Sequence, residues 1–321
     1  TCPYHGWSYS TDGSLQGVPQ QRTAYHNELD KSQWGLIEVP RVESHAGLVF
    51  ACFDPEAQSL ADYLGGMAWY LDLILRRSKA GTVVIPGVHR WRLGGNWKLA
   101  AEQFGGDNYH ADALHRSMNQ IGLGPEGEYR GESPWERDFE VKCEHGHGWI
   151  NFDVPMGELP PVQAKFMERI QREAEETLSP DQARLVNMVQ VGTIFPNFSI
   201  IGFLGFTSIR IWNPRGPRNM EVWSYGLIEK EAPPEVVEIT RKMQVLTFGP
   251  SGIFEQDDGC VWGEAVEVMG GRQRGEYPLN YQMGAGHGRE VPGRPGLVHP
   301  PSTELSVFGL HEYWRELMGR P

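Results

Sequence analysis

Long apolar runs are missing from this sequence. No stretch approaches the roughly 18 residues that a membrane-spanning helix needs, so none is expected to cross a bilayer. Basic residues are also scarce, with 29 Lys and Arg against 41 Asp and Glu and a formal charge of −12. That balance argues against a broad phosphate-binding surface, and no nucleic-acid partner is expected. Cysteine is sparse: Cys2, Cys52, Cys143 and Cys260 are scattered over 321 residues. Such usage suits a reducing compartment, with any special cysteine serving a metal rather than a disulfide. Cys52 and Cys260 read as small buried apolar residues. No secretory leader is visible and cytoplasm is the expected location, while Thr rather than Met at position 1 leaves an upstream segment open. Repeats and low-complexity tracts are absent too. What remains is ordinary globular material, 40% hydrophobic and 22% charged, enough for one large domain or two smaller ones.

The pattern divides near residue 57. The first unit reads as β-rich, with a turn at Thr11-Asp12-Gly13 and apolar stretches at Trp34–Val39 and Gly47–Phe53. Asp62–Arg77 then has helical spacing. Strands are expected at Val83–Ile85, His89–Leu93, Phe139–Lys142, Gly148–Phe152, Val189–Ile194, Ser199–Phe203, Thr207–Trp212 and Met220–Leu227. Helices are expected from Trp97 to about Met118, at Val162–Leu178 with a helical extension over Ala183–Val189, at Pro234–Leu246 and at Glu304–Met318. Gly284–Pro301, rich in Gly and Pro, reads as an extended surface arm. Sequential strands beside long helices predict an α+β fold with an antiparallel sheet.

The densest chemistry lies in Glu102–His115. Two imidazoles, His110 and His115, with a carboxylate from elsewhere are what a facial two-His-one-carboxylate site requires: neutral nitrogens and one anionic oxygen hold Fe(II) on one face and leave positions open. Spacing resists this. On a regular helix, at about 100° per residue, the two rings would point about 140° apart. A π-bulge or a break between His110 and His115 is therefore predicted; without one, they are two ordinary histidines on a helix rim. The distal carboxylate is sought in Phe254-Glu255-Gln256-Asp257-Asp258-Gly259, which follows a Gly/Pro turn. Taken without the histidines, that acidic pair reads better as a solvated helix start, where acids complement the dipole.

Cys2-Pro3-Tyr4-His5 has the Cys-x-x-His spacing of zinc sites and of one half of a Rieske centre, in which two His replace two Cys on one iron. Four ligands are required and two are present, so a Cys-x-His pair is expected upstream.

Together these residues resemble the large (α) subunit of Rieske non-haem iron aromatic-ring-hydroxylating dioxygenases. Cys2–Tyr9 resembles the second half of that family's cluster signature, and Asn96-Trp97-Lys98 followed by Glu102–His115 resembles its iron-binding helix. Phe195-Pro196-Asn197 and Ile209–Pro217 are similar to its pocket strands, Phe254–Gly259 to its distal carboxylate motif, and Asn280–Gly284 and Tyr313-Trp314 to its C-terminal region. The likeness spans nearly the whole chain in order. It implies an N-terminally incomplete Rieske-type β domain (1–57) and a helix-grip catalytic domain (58–321). It also implies Fe(II), one per subunit, on His110, His115 and Asp258, and a [2Fe–2S] cluster held in part by Cys2 and His5. Asp107 would be the electron-transfer bridge, joining iron ligand His110 to His5 of a neighbouring subunit. Gln103, Phe104, Ala111, Leu114, Asn197, Phe198, Phe248 and Phe254 would contact substrate. The expected reaction is cis-dihydroxylation of an apolar arene by O2. Its electrons would come from NAD(P)H through a ferredoxin reductase and a ferredoxin, in an α-subunit trimer with or without a small β subunit (α3 or α3β3).

Departures exist: the first Cys-x-His pair is absent, Gln103 stands where Asn is frequent, and Asn213 stands where His is common. Other readings stay open, namely a Rieske monooxygenase acting on an aromatic acid, an electron carrier of the same fold and, further off, a zinc hydrolase. The named pocket residues include no Arg or Lys, so an acid substrate lacks a partner among them. Cys143-Glu144-His145-Gly146-His147 could bind a second metal or serve structure, with structure the stronger reading. His45 and His89 read as strand-edge or satisfied core histidines.

Overall fold

The computed structural model describes residues 1–120, 137–153, 159–203 and 205–319, in two units, Thr1–Leu60 and Ala61–Pro321. The first unit is built from two small antiparallel ribbons: β1 (Ser8–Tyr9) with β2 (Leu15–Gly17), and β3 (Arg41–His45) with β4 (Leu48–Cys52). Asp12 caps the first turn by accepting from the Ser14 amide at 2.9 Å, while Gly13 takes the positive φ of 86° that an L side chain avoids. Trp34–Val39 makes no strand; its Trp34, Leu36 and Ile37 side chains are exposed. Cys52, the last residue of β4, is exposed rather than buried.

The second unit is α+β. Nine antiparallel strands form one sheet, in the spatial order β12 (Arg289–Val291), β13 (Arg294–His299), β6 (Phe139–Lys142), β7 (Gly148–Phe152), β8 (Val189–Ile194), β9 (Phe198–Phe203), β10 (Phe206–Pro214), β11 (Asn219–Glu229) and β5 (Thr82–Gly94). Helix α3 (Trp97–Gly106) packs across β7 to β10, and α10 (Leu305–Met318) packs on α3 and on β6 and β7. Two glycines, Gly106 at the end of α3 and Gly148 at the start of β7, make this grip possible. A Cβ on Gly106 would meet Ser306 Cβ at 2.4 Å, and one on Gly148 would meet the Gly105 carbonyl at 2.1 Å, so neither position admits a side chain without displacing the helix. Under α3 some buried polar groups satisfy one another: the Thr193 hydroxyl donates to the Ala101 carbonyl at 2.7 Å, and Trp212 Nε1 donates to Ser199 Oγ at 2.8 Å.

Several elements differ from the sequence expectation. Asp62–Arg77 is two helices, α1 (Leu60–Leu64) and α2 (Met67–Leu75), split where Gly65 adopts φ +48°. The two short strands at 83–93 are one edge strand, β5. Its pairing with β11 shifts register between Tyr225 and Leu227, which absorbs Pro86 and Gly87 as a bulge that an edge tolerates. Beyond α6 (Pro161–Thr177) the capped turn α7 (Pro180–Ala183) ends the helical region, and Val189 already belongs to a strand. The Gly/Pro-rich segment is no free arm: β12 and β13 extend the sheet, and Val298 and His299 are fully buried. Helix α8 (Pro234–Phe248) was expected, whereas α9 (Ile253–Met269) was not. Cys260 sits two residues past buried Asp258 on α9, about 200° round the helix, and faces solvent.

The Cys143–His147 segment serves structure. His145 Nδ1 and His147 Nε2 both approach the Tyr63 carbonyl, at 2.9 and 2.8 Å, and His147 Nδ1 accepts from the Phe195 amide at 3.0 Å. Burial holds His147 and His299 down to about 4, as neutral imidazoles. In the unfolded chain each would protonate near 6.5. Their stabilisation is therefore complete above about 6.5 and is lost as pH falls from there towards 4, at roughly 1.4 kcal/mol per unit for each. Denaturant melts of His147→Gln should show a shallower loss across that window; an unchanged slope would contradict it.

Candidate metal centre

Helix α3 stops at Gly106. Asp107 leaves the helix (φ −115°, ψ 83°), and its Oδ1 accepts from the His110 amide at 3.1 Å, starting a new turn. That turn is α4 (Ala111–Leu114), bounded by His110 and His115, and α5 (Arg116–Gln120) follows. The break thus lies ahead of His110 and again at His115, where the backbone (φ −95°, ψ 16°) departs from the helix. No π-helical stretch occurs among the described residues. With each imidazole at an end of a single turn, the rings converge instead of diverging, and their centroids are 5.2 Å apart.

Asp258 arrives from α9. The buried stripe of that helix is Phe254, Glu255, Asp258 and Trp262, the spacing of one helical face. One ligand atom each from His110, His115 and Asp258 all lie within 4.8 Å of one another. Asp258 Oδ1 is 3.7 Å from His110 Nε2 and 3.3 Å from His115 Nε2, yet it has no hydrogen-bond partner although buried. A buried carboxylate oxygen without a proton donor is costly unless a cation meets it. The outer nitrogens face carboxylates as well: His110 Nδ1 lies 3.4 Å from Asp107, and His115 Nδ1 lies 3.4 Å from Asp257. Carboxylates behind ligand imidazoles fix the tautomer that presents Nε2 to a metal. Donor set, convergence and orphaned oxygen together fit a divalent iron.

Asp257 had no role in the sequence reading beyond membership of an acidic pair; the signal was its place beside Asp258. Replacing Asp257 with Ala should weaken Fe(II) binding about 10-fold while leaving the fold intact, measured by competition with a chelator. Unchanged affinity would deny it an orienting role.

The expected substrate residues fall into three groups. Phe254 stands edge-on to His115, with ring centroids 4.9 Å apart, and stacks on Phe248 at 5.2 Å; Phe104 is 5.2 Å from Trp212 in the same apolar cluster. Ala111 and Leu114 are half-buried on the turn between the histidines, and the Gln103 amide oxygen accepts from Trp262 Nε1 at 2.8 Å. Asn197 donates to the Trp212 carbonyl at 3.0 Å, and Phe198 opens β9 opposite Ile194 and Ile211. These last two brace the sheet. Two surface clefts of about 660 Å³ each are lined by other residues, among them Arg137, Arg184, Arg289 and Arg294 in one and Lys142, Glu144 and Glu290 in the other.

A charged group that sequence reasoning missed lies beside the aromatics. Arg210 of β10 is fully buried and paired with Glu255, and its guanidinium lies 5.2 Å from the Phe104 ring and 5.2 Å from the Phe248 ring. Strand alternation could have placed Arg210 inside, but the partner on α9 depends on a helix the sequence did not announce.

In the first unit, the Cys2 amide donates to the Trp7 carbonyl at 2.7 Å and the Gly6 amide to the Cys2 carbonyl at 3.0 Å, making a tight loop. Amides of Tyr4 and His5 at the Cys2 sulfur lower its pKa, which favours the thiolate that a metal binds. His5 is on the same loop, exposed, and Trp7 meets Tyr25 and Trp34 edge-on at 6.4 and 6.3 Å. Two donors on one loop fit half of a [2Fe–2S] centre.

Residues 60–320 match the family described as Ring hydroxylating alpha subunit (catalytic domain), and residues 1–40 match the Rieske [2Fe-2S] domain. The chain is 36% identical to the biphenyl 2,3-dioxygenase α subunit of Rhodococcus jostii (strain RHA1), an alignment covering 100% of this chain and 71% of that one. It is 32% identical to the N,N-dimethyl phenylurea N-demethylase α subunit of Sphingobium sp. (strain YBL2), over 98% of this chain and 72% of the relative. The crystal structure of naphthalene 1,2-dioxygenase from Rhodococcus sp. bound to indole superposes with a TM-score of 0.88 at 40% identity, covering 100% of this chain and 76% of that one. The chain belongs to the ring-hydroxylating α-subunit family, as a Rieske non-haem iron oxidoreductase.

Proposed function

We propose that this chain is the catalytic α subunit of a multicomponent dioxygenase that adds both atoms of O2 to a neutral, apolar aromatic ring, giving a cis-dihydrodiol. The carrying observation is the convergence of His110, His115 and Asp258 beside aromatic side chains, with Arg210, a buried cation nearby, already paired with Glu255. An aromatic carboxylate would find no uncommitted positive partner among the described residues of that cluster, which favours neutral arenes over aromatic acids.

His110, His115 and Asp258 would hold the Fe(II), and Cys2 and His5 would supply two of the four cluster ligands. Bound iron supplies the oxygen chemistry, while the protein supplies position and an open face. Asp107 and Asp257 keep the two imidazoles turned towards Asp258. Phe254 and Phe248 keep water from one side of the triad and offer ring faces for an arene to pack against. Asp107 is also the group through which a neighbouring subunit's cluster would connect, which calls for an α-subunit trimer, with or without a small β subunit. Electrons would come from NAD(P)H by way of a reductase and a ferredoxin in the cytoplasm. No described helix is long and apolar enough to cross a membrane.

The test is product analysis with the reconstituted components and O-18-labelled O2 over a panel of neutral arenes and aryl carboxylates. Dihydrodiols carrying two labelled atoms from neutral arenes are expected. Single-atom incorporation or N-dealkylation would favour a monooxygenase, the activity named for the Sphingobium relative being a demethylation. Iron near two rather than about three atoms per full-length chain would favour an electron carrier.

A further inference from the structure

The acidic ligand of the candidate centre is carried by a helix whose start is an unusual corner. α8 ends at Phe248, α9 begins at Ile253, and Gly249-Pro250-Ser251-Gly252 joins them. The corner is tight: the Gly252 amide donates to the Gly249 carbonyl at 2.8 Å, and a Cβ on Gly252 would meet the Thr247 carbonyl at 2.3 Å. Where this corner sits decides where α9 starts, and Asp258 lies within the second turn of α9.

One side chain from the sheet grasps both banks of that corner. Arg210 Nη2 donates to the Phe248 carbonyl at 2.7 Å, the last residue of α8, and Nη1 donates to Glu255 Oε2 in the first turn of α9. The guanidinium is walled by the Phe104, Trp212 and Phe248 rings, at 5.2, 5.5 and 5.2 Å. Its strand is central, hydrogen-bonded to β9 on one side and β11 on the other. A planar fork on a rigid strand is suited to fixing two groups at once, whereas an ammonium holds one direction less firmly.

The pair is a poor choice for stability alone. Arg210 Nε and Glu255 Oε1 are buried without partners, and apolar residues of similar volume commonly serve a core as well as a buried ion pair. What an apolar pair cannot do is define the distance between a sheet strand and two helix ends. We infer that Arg210, acting through Glu255 and the Phe248 carbonyl, is a positioning residue that sets the α8–α9 corner and thereby aims Asp258 at His110 and His115. The inference rests on the proposed metal centre for its functional consequence, but the clamp itself exists without metal.

Two variants test it in the full-length protein, with Fe(II) and Co(II) as probes. In Arg210→Met/Glu255→Leu both charges are replaced by apolar groups, so no buried ion is left unpaired. Its thermal midpoint should stay close to the wild type's, while Co(II) affinity falls about 10-fold or more and the ligand-field bands of bound Co(II) shift. Arg210→Lys keeps the charge but not the fork, and should recover the affinity only in part. Hydrogen exchange on metal-free protein gives a separate reading: amides at 253–258 should exchange faster in both variants, with those of β8 and β9 unchanged. Wild-type affinity and Co(II) bands in the double variant would overturn the inference, as would full recovery by lysine. Failure of the double variant to fold leaves the lysine variant to decide. If the wild type binds neither ion, the metal centre itself is refuted, and unaltered exchange at 253–258 would then refute the clamp too.

Discussion

Replacing His110 with alanine will leave a folded chain that has lost one iron. Full-length wild-type protein should carry about three iron atoms per chain, two in the cluster and one in the catalytic unit; the variant should carry about two. Turnover should fall by at least roughly 10³-fold, because two remaining donors cannot hold the ion in a defined open geometry. The fold should survive. His110 is partly exposed, its amide contact to Asp107 is a backbone donor that alanine keeps, and no described core cluster depends on the ring. Cluster absorbance serves as the internal control, since its donors lie in the other unit. Metal analysis is the deciding measurement. Retention of about three irons with wild-type turnover would return His110 to the ordinary histidine that its spacing alone allows, and would remove the basis of the iron assignment.

The parts of this molecule that were readable in advance are those in which a single period dominates. Val189–Ile194 is a short run of mostly apolar residues ending before Phe195-Pro196, and the structure makes it a strand of those same bounds. Val162–Leu178 alternates charged and apolar residues at helical spacing and is displaced by one residue in α6. Helix α9 hid because its buried stripe contains Glu255 and Asp258, so the apolar face looks interrupted where the chemistry sits. The break after α3 was expected near the right place for a correct geometric reason, yet assigned to the wrong bond. The Gly105-Gly106-Asp107-Asn108 run is a helix stop followed by an Asx-type restart, and weighing it would have moved the break ahead of His110. The β12–β13 hairpin was mistaken for an arm because Pro and Gly in Val291-Pro292-Gly293-Arg294 were read as extended surface chain instead of as a turn, with Gly293 at φ +80°. Arg210 shows a different limit. A strand period can say that a side chain points inward, but its partner on a distant helix is tertiary information.

Asp107→Asn should separate two tasks that one carboxylate performs. The side chain accepts from the His110 amide, which starts α4, and it faces His110 Nδ1 at 3.4 Å. Asparagine keeps an acceptor oxygen for the amide, so α4 and the convergence on Asp258 should persist, and iron should remain near one catalytic atom per chain with Fe(II) affinity lowered no more than about 10-fold. What asparagine lacks is a second anionic oxygen able to accept simultaneously from His110 and from an imidazole of a neighbouring subunit. If that double acceptance is the connection between subunits, turnover should fall by at least about 10²-fold, a larger loss than the metal affinity explains. Reduction of the cluster by a chemical donor should proceed as in the wild type, and its reoxidation in the presence of arene and O2 should become slow. Asp107→Ala, which removes the amide acceptor as well, should in addition lose iron and destabilise the α3–α4 junction. The difference between the two variants therefore measures the structural share of Asp107, and the deficit in the Asn variant measures the share that belongs to the bridge. Wild-type reoxidation in Asp107→Asn would show that His110 orientation is the whole of its role and that the subunits connect elsewhere.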